Sequence, residues 1–178
     1  MLSIEAMPTT YARLVKNVEA NRSHQNVELY QGAAFDEDTT LEFMDYGVVA
    51  SSLNSAFGSR GENSLINQEN KVAVKAQPAD AILAQYGLQH VDLIKIDAES
   101  SEKYVIRGLA KTLERSRPTI VMEVGDIGID NGTPSAELIR LLSAAGYTAH
   151  KWEGLELIDF KTSGPLAYAN LVFLPNDN

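Results

Sequence analysis

The sequence predicts an α/β sandwich with a mostly parallel sheet, and three observations carry that expectation. Strand-like and helix-like runs alternate along most of the chain, the pattern of parallel strands joined by crossover helices. The stretch VDLIKIDAESSEKYVIRGLAKTLERSRPTIVMEV, from Val91 to Val124, reads as an apolar strand, an acid-rich turn, an amphipathic helix and a second apolar strand. The chain then closes on two strands with no helix between them, which places an antiparallel strand at or near one edge.

Leu2 to Ala6 forms the first short strand, and Pro8 suits the opening turn of a helix, where a missing N–H costs nothing. Tyr11, Leu14, Val15 and Val18 fall on one face of that helix, and Asn21 stops it. Val27 to Gln31 is the next strand and leads into Gly32, Ala33, Ala34 and Phe35. From 36 to 76 the chain becomes polar and turn-rich, with β-like runs at Thr40–Phe43, Val48–Leu53 and Lys71–Ala76. This reads as an antiparallel excursion or flap within a single domain. Pro78 to Tyr86 is a short helix closed by Gly87. The central unit follows, with Val105, Ile106, Leu109 and Leu113 as the buried stripe of its helix. A Gly/Asp-rich loop runs from Gly125 to Gly132, and a helix spans about Pro134 to Ala145, ended by Gly146. Tyr147–Trp152 and Ala167–Leu174 are the last strands, separated by a turn-rich loop from Glu153 to Pro165.

At 178 residues the chain has the size of one domain with room for a proper core. Its net charge of -9 argues against a nucleic-acid or acidic-membrane partner, which would need a basic surface. There is no cysteine, hence no disulfide and no thiolate metal site. No apolar run approaches the ~18 residues of a membrane span, and MLSIEAMP lacks the layout of a signal peptide. A cytoplasmic location is the default expectation. His24, His90 and His150 are scattered without metal-ligand spacing, and no metal is expected.

Two neighbouring strands that end in carboxylates suggest a site, because ligands of open parallel sheets bind outside the carboxyl ends of the strands. The first, Val91–Ile96, ends in Asp97, and the second, Thr119–Val124, carries Glu123. Alternation sets Lys95 and Asp97 on the face opposite Ile94 and Ile96. A lysine on a buried strand needs a carboxylate partner, and Asp97 or Glu123 can supply one. Asp97, Glu99 and Glu102 put three acids within six residues. A bland reading stands beside the functional one: acids in a first helical turn favour the helix dipole, and Ser100 can cap.

The central segment resembles the FkbM family of S-adenosylmethionine-dependent methyltransferases. That family carries a strand reading roughly D-L-I-K-I-D, then V-E-G-x-E, a helix, and P-x-I-x-x-E. The matching residues are Asp92, Leu93, Ile94, Lys95, Ile96 and Asp97, then Ala98, Glu99, Ser100 and Glu102, then Pro118, Ile120 and Glu123. IEAMPTTYARLVKNVEAN is similar to the family's second strand and helix, and GAAF with Asp36 to its third strand end. Ser51-Ser52-Leu53, Asp80, and Tyr168 to Pro175 with Asn170 also agree.

The resemblance implies a Rossmann-like class I methyltransferase sheet using S-adenosylmethionine, with the methyl moving to a hydroxyl of a sugar or secondary metabolite. It implies that Glu5 holds the ribose and that Phe35 with Ala33 and Ala34 lines the adenine. Asp97 is the candidate for the base that takes the hydroxyl proton, with Lys95 setting its charge state. Glu99, Glu102 and Glu123 are further candidates for the same cleft.

Two departures are visible. Ser100 stands where the family has glycine, which puts any backbone conformation at positive φ in question. The chain also opens at the family's second strand, and no G-x-G follows a strand. The expectation is therefore a domain missing its first strand, with the Leu2–Ala6 and Val91–Ile96 strands parallel and near one another across an empty or closed slot. Such a chain would bind the donor weakly and could self-associate through the unfilled position. The alternative is an incomplete or inactive domain serving as a fragment or interaction module.

Overall fold

The computed structural model describes residues 1–21, 26–44, 71–126, 132–162 and 164–176. The expected strand at Val48–Leu53, with its Ser51-Ser52-Leu53 run, lies outside them.

The chain starts with a β-α-β unit. Strand β1 (Leu2–Glu5) and strand β2 (Glu28–Gln31) pair in parallel, with Leu2 opposite Glu28 and Glu5 opposite Gln31. Helix α1 (Pro8–Ala20) joins them, opened by Pro8 and closed where the Asn21 N–H reaches the carbonyls of Asn17 and Val18. Its apolar stripe is only half covered, and none of its residues is fully buried.

Strands β3 (Ala33–Phe35), β4 (Thr39–Met44) and β5 (Lys71–Pro78) form a three-stranded sheet with β5 in the middle. β5 runs parallel to β3 and antiparallel to β4. Helix α2 (Ala79–Gln85) follows directly.

The central unit holds β6 (Leu93–Ile96) and β7 (Thr119–Val124), parallel, with Ile94 opposite Ile120 and Ile96 opposite Met122. The helix between them is two short helices, α3 (Glu102–Gly108) and α4 (Ala110–Ser116), broken at Leu109. Asp80 of α2 explains the break. Its carboxylate accepts the N–H groups of Lys111 (2.8 Å) and Thr112 (3.0 Å) and the Thr112 hydroxyl (2.6 Å). These backbone donors are the ones a helix start leaves orphaned, so a carboxylate there caps a new helix.

Helix α5 (Ser135–Ala144) leads to β8 (Tyr147–Glu153), β9 (Glu156–Asp159) and β10 (Ala169–Pro175). The five-stranded sheet runs β6-β7-β10-β8-β9. Three corrections follow. β9 lies inside the stretch read as a loop, because Gly154 at φ +63 allows a two-residue hairpin that sets Glu153 opposite Glu156. The antiparallel strand β10 is central rather than at an edge, inserted between β7 and β8. The architecture is therefore α/β with mixed sheets rather than mostly parallel. Among the described residues three strand pairings are parallel (β1/β2, β3/β5, β6/β7) and four are antiparallel (β4/β5, β7/β10, β10/β8, β8/β9).

The main core gathers Ile96, Ile106, Leu109, Leu113, Ile120, Met122, Leu142, Leu171 and Phe173, and a second core gathers Met7, Phe35, Phe43 and Val74. β1 and β6 belong to different sheets and do not pair with each other. Each therefore keeps one edge without a described strand partner, and Leu93 on β6 is 61% exposed.

Candidate functional site

The carboxyl end of β6 carries the first group of expected residues. Lys95 Nζ lies 3.5 Å from Asp97 Oδ2 and 3.3 Å from the Ile96 carbonyl oxygen. Both side chains of the pair are 47% exposed. The premise that Lys95 sits on a buried strand is corrected here, because β6 is an edge among the described residues and its lysine reaches water. Such an exposed pair contributes at most about 1 kcal/mol. It orients Asp97 more than it stabilises the fold.

After Asp97 the chain turns through two consecutive left-handed residues, Glu99 at φ +46 and Ser100 at φ +78. Neither is glycine, so the turn costs on the order of 1–2 kcal/mol per residue and must be held by its surroundings. Ser100 thus adopts the conformation that the family's glycine would take without strain. The holding group is Glu102. Its Oε1 accepts the N–H of Ala98 at 3.1 Å and of Ser100 at 3.3 Å, and the residue is only 8% exposed. Ser100 does not cap α3. The cap position is Ser101, whose side chain makes no capping bond.

Glu123 lies on β7 opposite Asn170 of β10 and is partly buried. It lines a small cavity of about 20 Å³ together with Ser100, Glu102, Thr133, Leu138 and Tyr168. The structure thus brings Glu102 and Glu123 to one hollow, while Asp97 and Lys95 stand on the β6 end outside its walls. Gly125 and Thr133 also border a larger hollow of about 410 Å³, walled further by Asp126, Pro134, Thr162 and Pro165.

Sequence reasoning missed three contributors to this region. Tyr168, 44% exposed, lies over Gly125, where an added Cβ would come within 3.1 Å of the ring. Asp126 ties the loop after β7 to its surroundings: Oδ1 accepts the Ser135 N–H at 2.7 Å and Oδ2 the Leu166 N–H at 2.6 Å. Burial pushes the Asp126 pKa up, but these backbone donors outweigh it and the net shift is downward. The Gly-Asp pair directly after a strand end was the available signal for Gly125 and Asp126. For Tyr168 only its place at the head of the last strand run stood out.

The donor-side candidates lie on other sheets. Glu5 ends β1, and its Oε1 accepts the Met7 N–H at 2.8 Å. Burial raises its pKa above the ordinary value, against the lowering effect of the Met7 and Ala6 N–H groups. Phe35 is 5% exposed and stacks on Tyr104 with ring centroids 4.5 Å apart. Its ring is a core element and offers no open face to a purine, which corrects the reading of Phe35 as an adenine wall. Ala34 beside it is partly exposed.

The chain as a whole matches a known family. The family model described as the methyltransferase FkbM domain matches residues 1–149, and the chain belongs to that family. Among solved structures it is similar to the methyltransferase FkbM of Methylobacillus flagellatus KT, with 12% identity and a TM-score of 0.52. That alignment covers 97% of this chain and 36% of the other, so this chain spans little more than a third of that protein's length. At such identity the likeness concerns the fold. No curated protein matches the chain.

Proposed function

We propose that the chain is an S-adenosylmethionine-dependent O-methyltransferase domain acting on a hydroxyl of a sugar or secondary metabolite. The observation that carries the reading is the match to the FkbM methyltransferase domain over residues 1–149, a range that includes the acids of β6 and β7. The residues present fit the ribose end of the donor. A carboxylate has about four acceptor positions, so Glu5 keeps capacity for a diol while accepting the Met7 N–H. Ala34 is the part of the β3 end left to meet the adenine. When bound, S-adenosylmethionine supplies an electrophilic methyl group.

The chain's own work is to hold the acceptor at reacting distance and to receive its proton. Asp97 fits the second task, being a half-exposed carboxylate at a strand end with Lys95 at 3.5 Å. Glu123 borders the neighbouring hollow, where its carboxylate can accept from an acceptor hydroxyl. Titration calorimetry with S-adenosylmethionine and its demethylated product tests the donor half. Binding that drops at least tenfold in Glu5→Ala supports it, since a hydrogen bond to a charged group is worth about 1.5–3 kcal/mol. Transfer of labelled methyl to a panel of sugar and polyketide-type alcohols tests the acceptor half.

A second reading is an inactive domain that serves association. The open edge of β6, with Leu93 61% exposed, favours it. No donor binding at millimolar concentration, together with a concentration-dependent dimer, would establish that reading over the first.

A further inference from the structure

We infer that Glu102 is a positioning residue: it holds the left-handed turn through Glu99 and Ser100 that directly follows Asp97 at the end of β6. The claim rests on the reading of Asp97 as the proton acceptor. The geometry is specific. The turn after β6 passes through Glu99 at φ +46 and Ser100 at φ +78, a path that non-glycine residues resist. One oxygen of Glu102 accepts two N–H groups of that turn, from Ala98 at 3.1 Å and Ser100 at 3.3 Å. The Ser101 N–H closes the turn on the Ala98 carbonyl at 3.0 Å. Glu102 is the first residue of α3 and is 8% exposed, so its carboxylate is anchored by the helix behind it. Buried backbone N–H groups that lose such an acceptor are left unsatisfied, and the turn then has no reason to keep its strained path. The acid next to the cavity thus acts through backbone geometry, and Asp97, one residue before Ala98, inherits its placement from it.

The substitutions Glu102→Gln and Glu102→Ala separate this role from direct chemistry. A glutamine carbonyl can still accept both N–H groups but cannot take a proton, whereas alanine does neither. Amide hydrogen exchange on the full chain is read at Ala98 and Ser100, with methyl transfer and affinity for S-adenosylhomocysteine measured beside it. Glu102→Ala should speed exchange at both amides by roughly tenfold or more, the scale of a lost charged hydrogen bond. It should lower the transfer rate by a similar factor while donor affinity stays within about twofold. Glu102→Gln should stay near wild type in all three. Adding Ser100→Gly to Glu102→Ala should recover part of the rate, because glycine follows the left-handed path without help.

Unchanged exchange in Glu102→Ala would overturn the inference. So would a Gln variant as slow as the Ala variant with its amides still protected, since the carboxylate would then act on the substrate itself. The exchange measurement needs no turnover. Should the wild type transfer no methyl, the methyltransferase reading fails, and exchange still decides whether Glu102 holds the turn.

Discussion

Gly108 shows how one residue can set the distance between two elements. A Cβ at that position would lie 1.7 Å from the Phe35 carbonyl oxygen and 3.0 Å from the Ala79 nitrogen, both backbone atoms that cannot swing aside. Helix α3 therefore rests directly on the end of β3, and only glycine permits it. Gly108→Ala should destabilise the domain by about 3 kcal/mol, at the upper end of overpacking costs, as measured by urea unfolding. A loss below about 0.5 kcal/mol would mean that the helix and strand separate easily.

Asp97 makes a different demand at the same scale, since it is half exposed and its ion pair with Lys95 lies at the surface, where such a pair adds little stability. Asp97→Asn should leave the unfolding midpoint almost unchanged and reduce methyl transfer far more than donor affinity. Transfer close to wild type with an accepted substrate would leave Asp97 as no more than the partner of Lys95.

At the scale of elements, the loop after β7 depends on a single carboxylate. Asp126 joins the start of α5 to the segment before β10 through the Ser135 and Leu166 N–H groups. Its pKa lies below the ordinary 3.8 in the folded chain. A depressed acid contributes stability above its unfolded pKa, and that contribution is lost as pH falls below about 4 through the folded value. Glu5 has the opposite sign, because its folded pKa is raised above 4.5 and its share of stability declines as pH rises through that range. Urea unfolding at pH 3 and pH 7 should therefore show wild type losing more stability on acidification than Asp126→Asn. Equal losses in the two proteins would remove Asp126 as the tie.

For the whole molecule the open edges matter most. Among the described residues β6 pairs only with β7 and β1 only with β2, and strands with an uncovered edge invite addition of another strand. Leu93 lies on that edge, 61% exposed. We propose self-association through β6, to be read by sedimentation velocity as a shift in mass across micromolar concentrations. Leu93→Lys should raise the monomer fraction, because lysine on an edge strand discourages pairing. A chain that stays monomeric and melts cooperatively at the highest concentration would rule out association through this edge. No helix among the described residues is long and apolar enough to cross a membrane.

The boundary between sequence and tertiary structure falls where local spacing gives way to contacts far apart in the chain. Pro8, the 3.6-residue stripe of Tyr11, Leu14, Val15 and Val18, and Asn21 marked α1 to within a residue. The apolar run Thr119–Val124 likewise marked β7, whose residues are buried in alternation. The stripe Val105, Ile106, Leu109 and Leu113 is buried as its spacing implied. These patterns are local because periodicity decides which face of a helix or strand is apolar. Sheet neighbours are not local. The insertion of β10 between β7 and β8, which makes the sheet mixed, depends on the register of partners 22 to 53 residues apart. The break at Leu109 depends on Asp80, about 30 residues away. Among the site candidates, the acids were legible as residues at strand ends, but their division of labour was not. Burial of Phe35 against Tyr104, exposure of Lys95 at an edge and the hold of Glu102 on the Ser100 turn all follow from which surfaces meet. Each side chain's chemistry was therefore present in the sequence, and folding decided which of those groups water, backbone or substrate can reach.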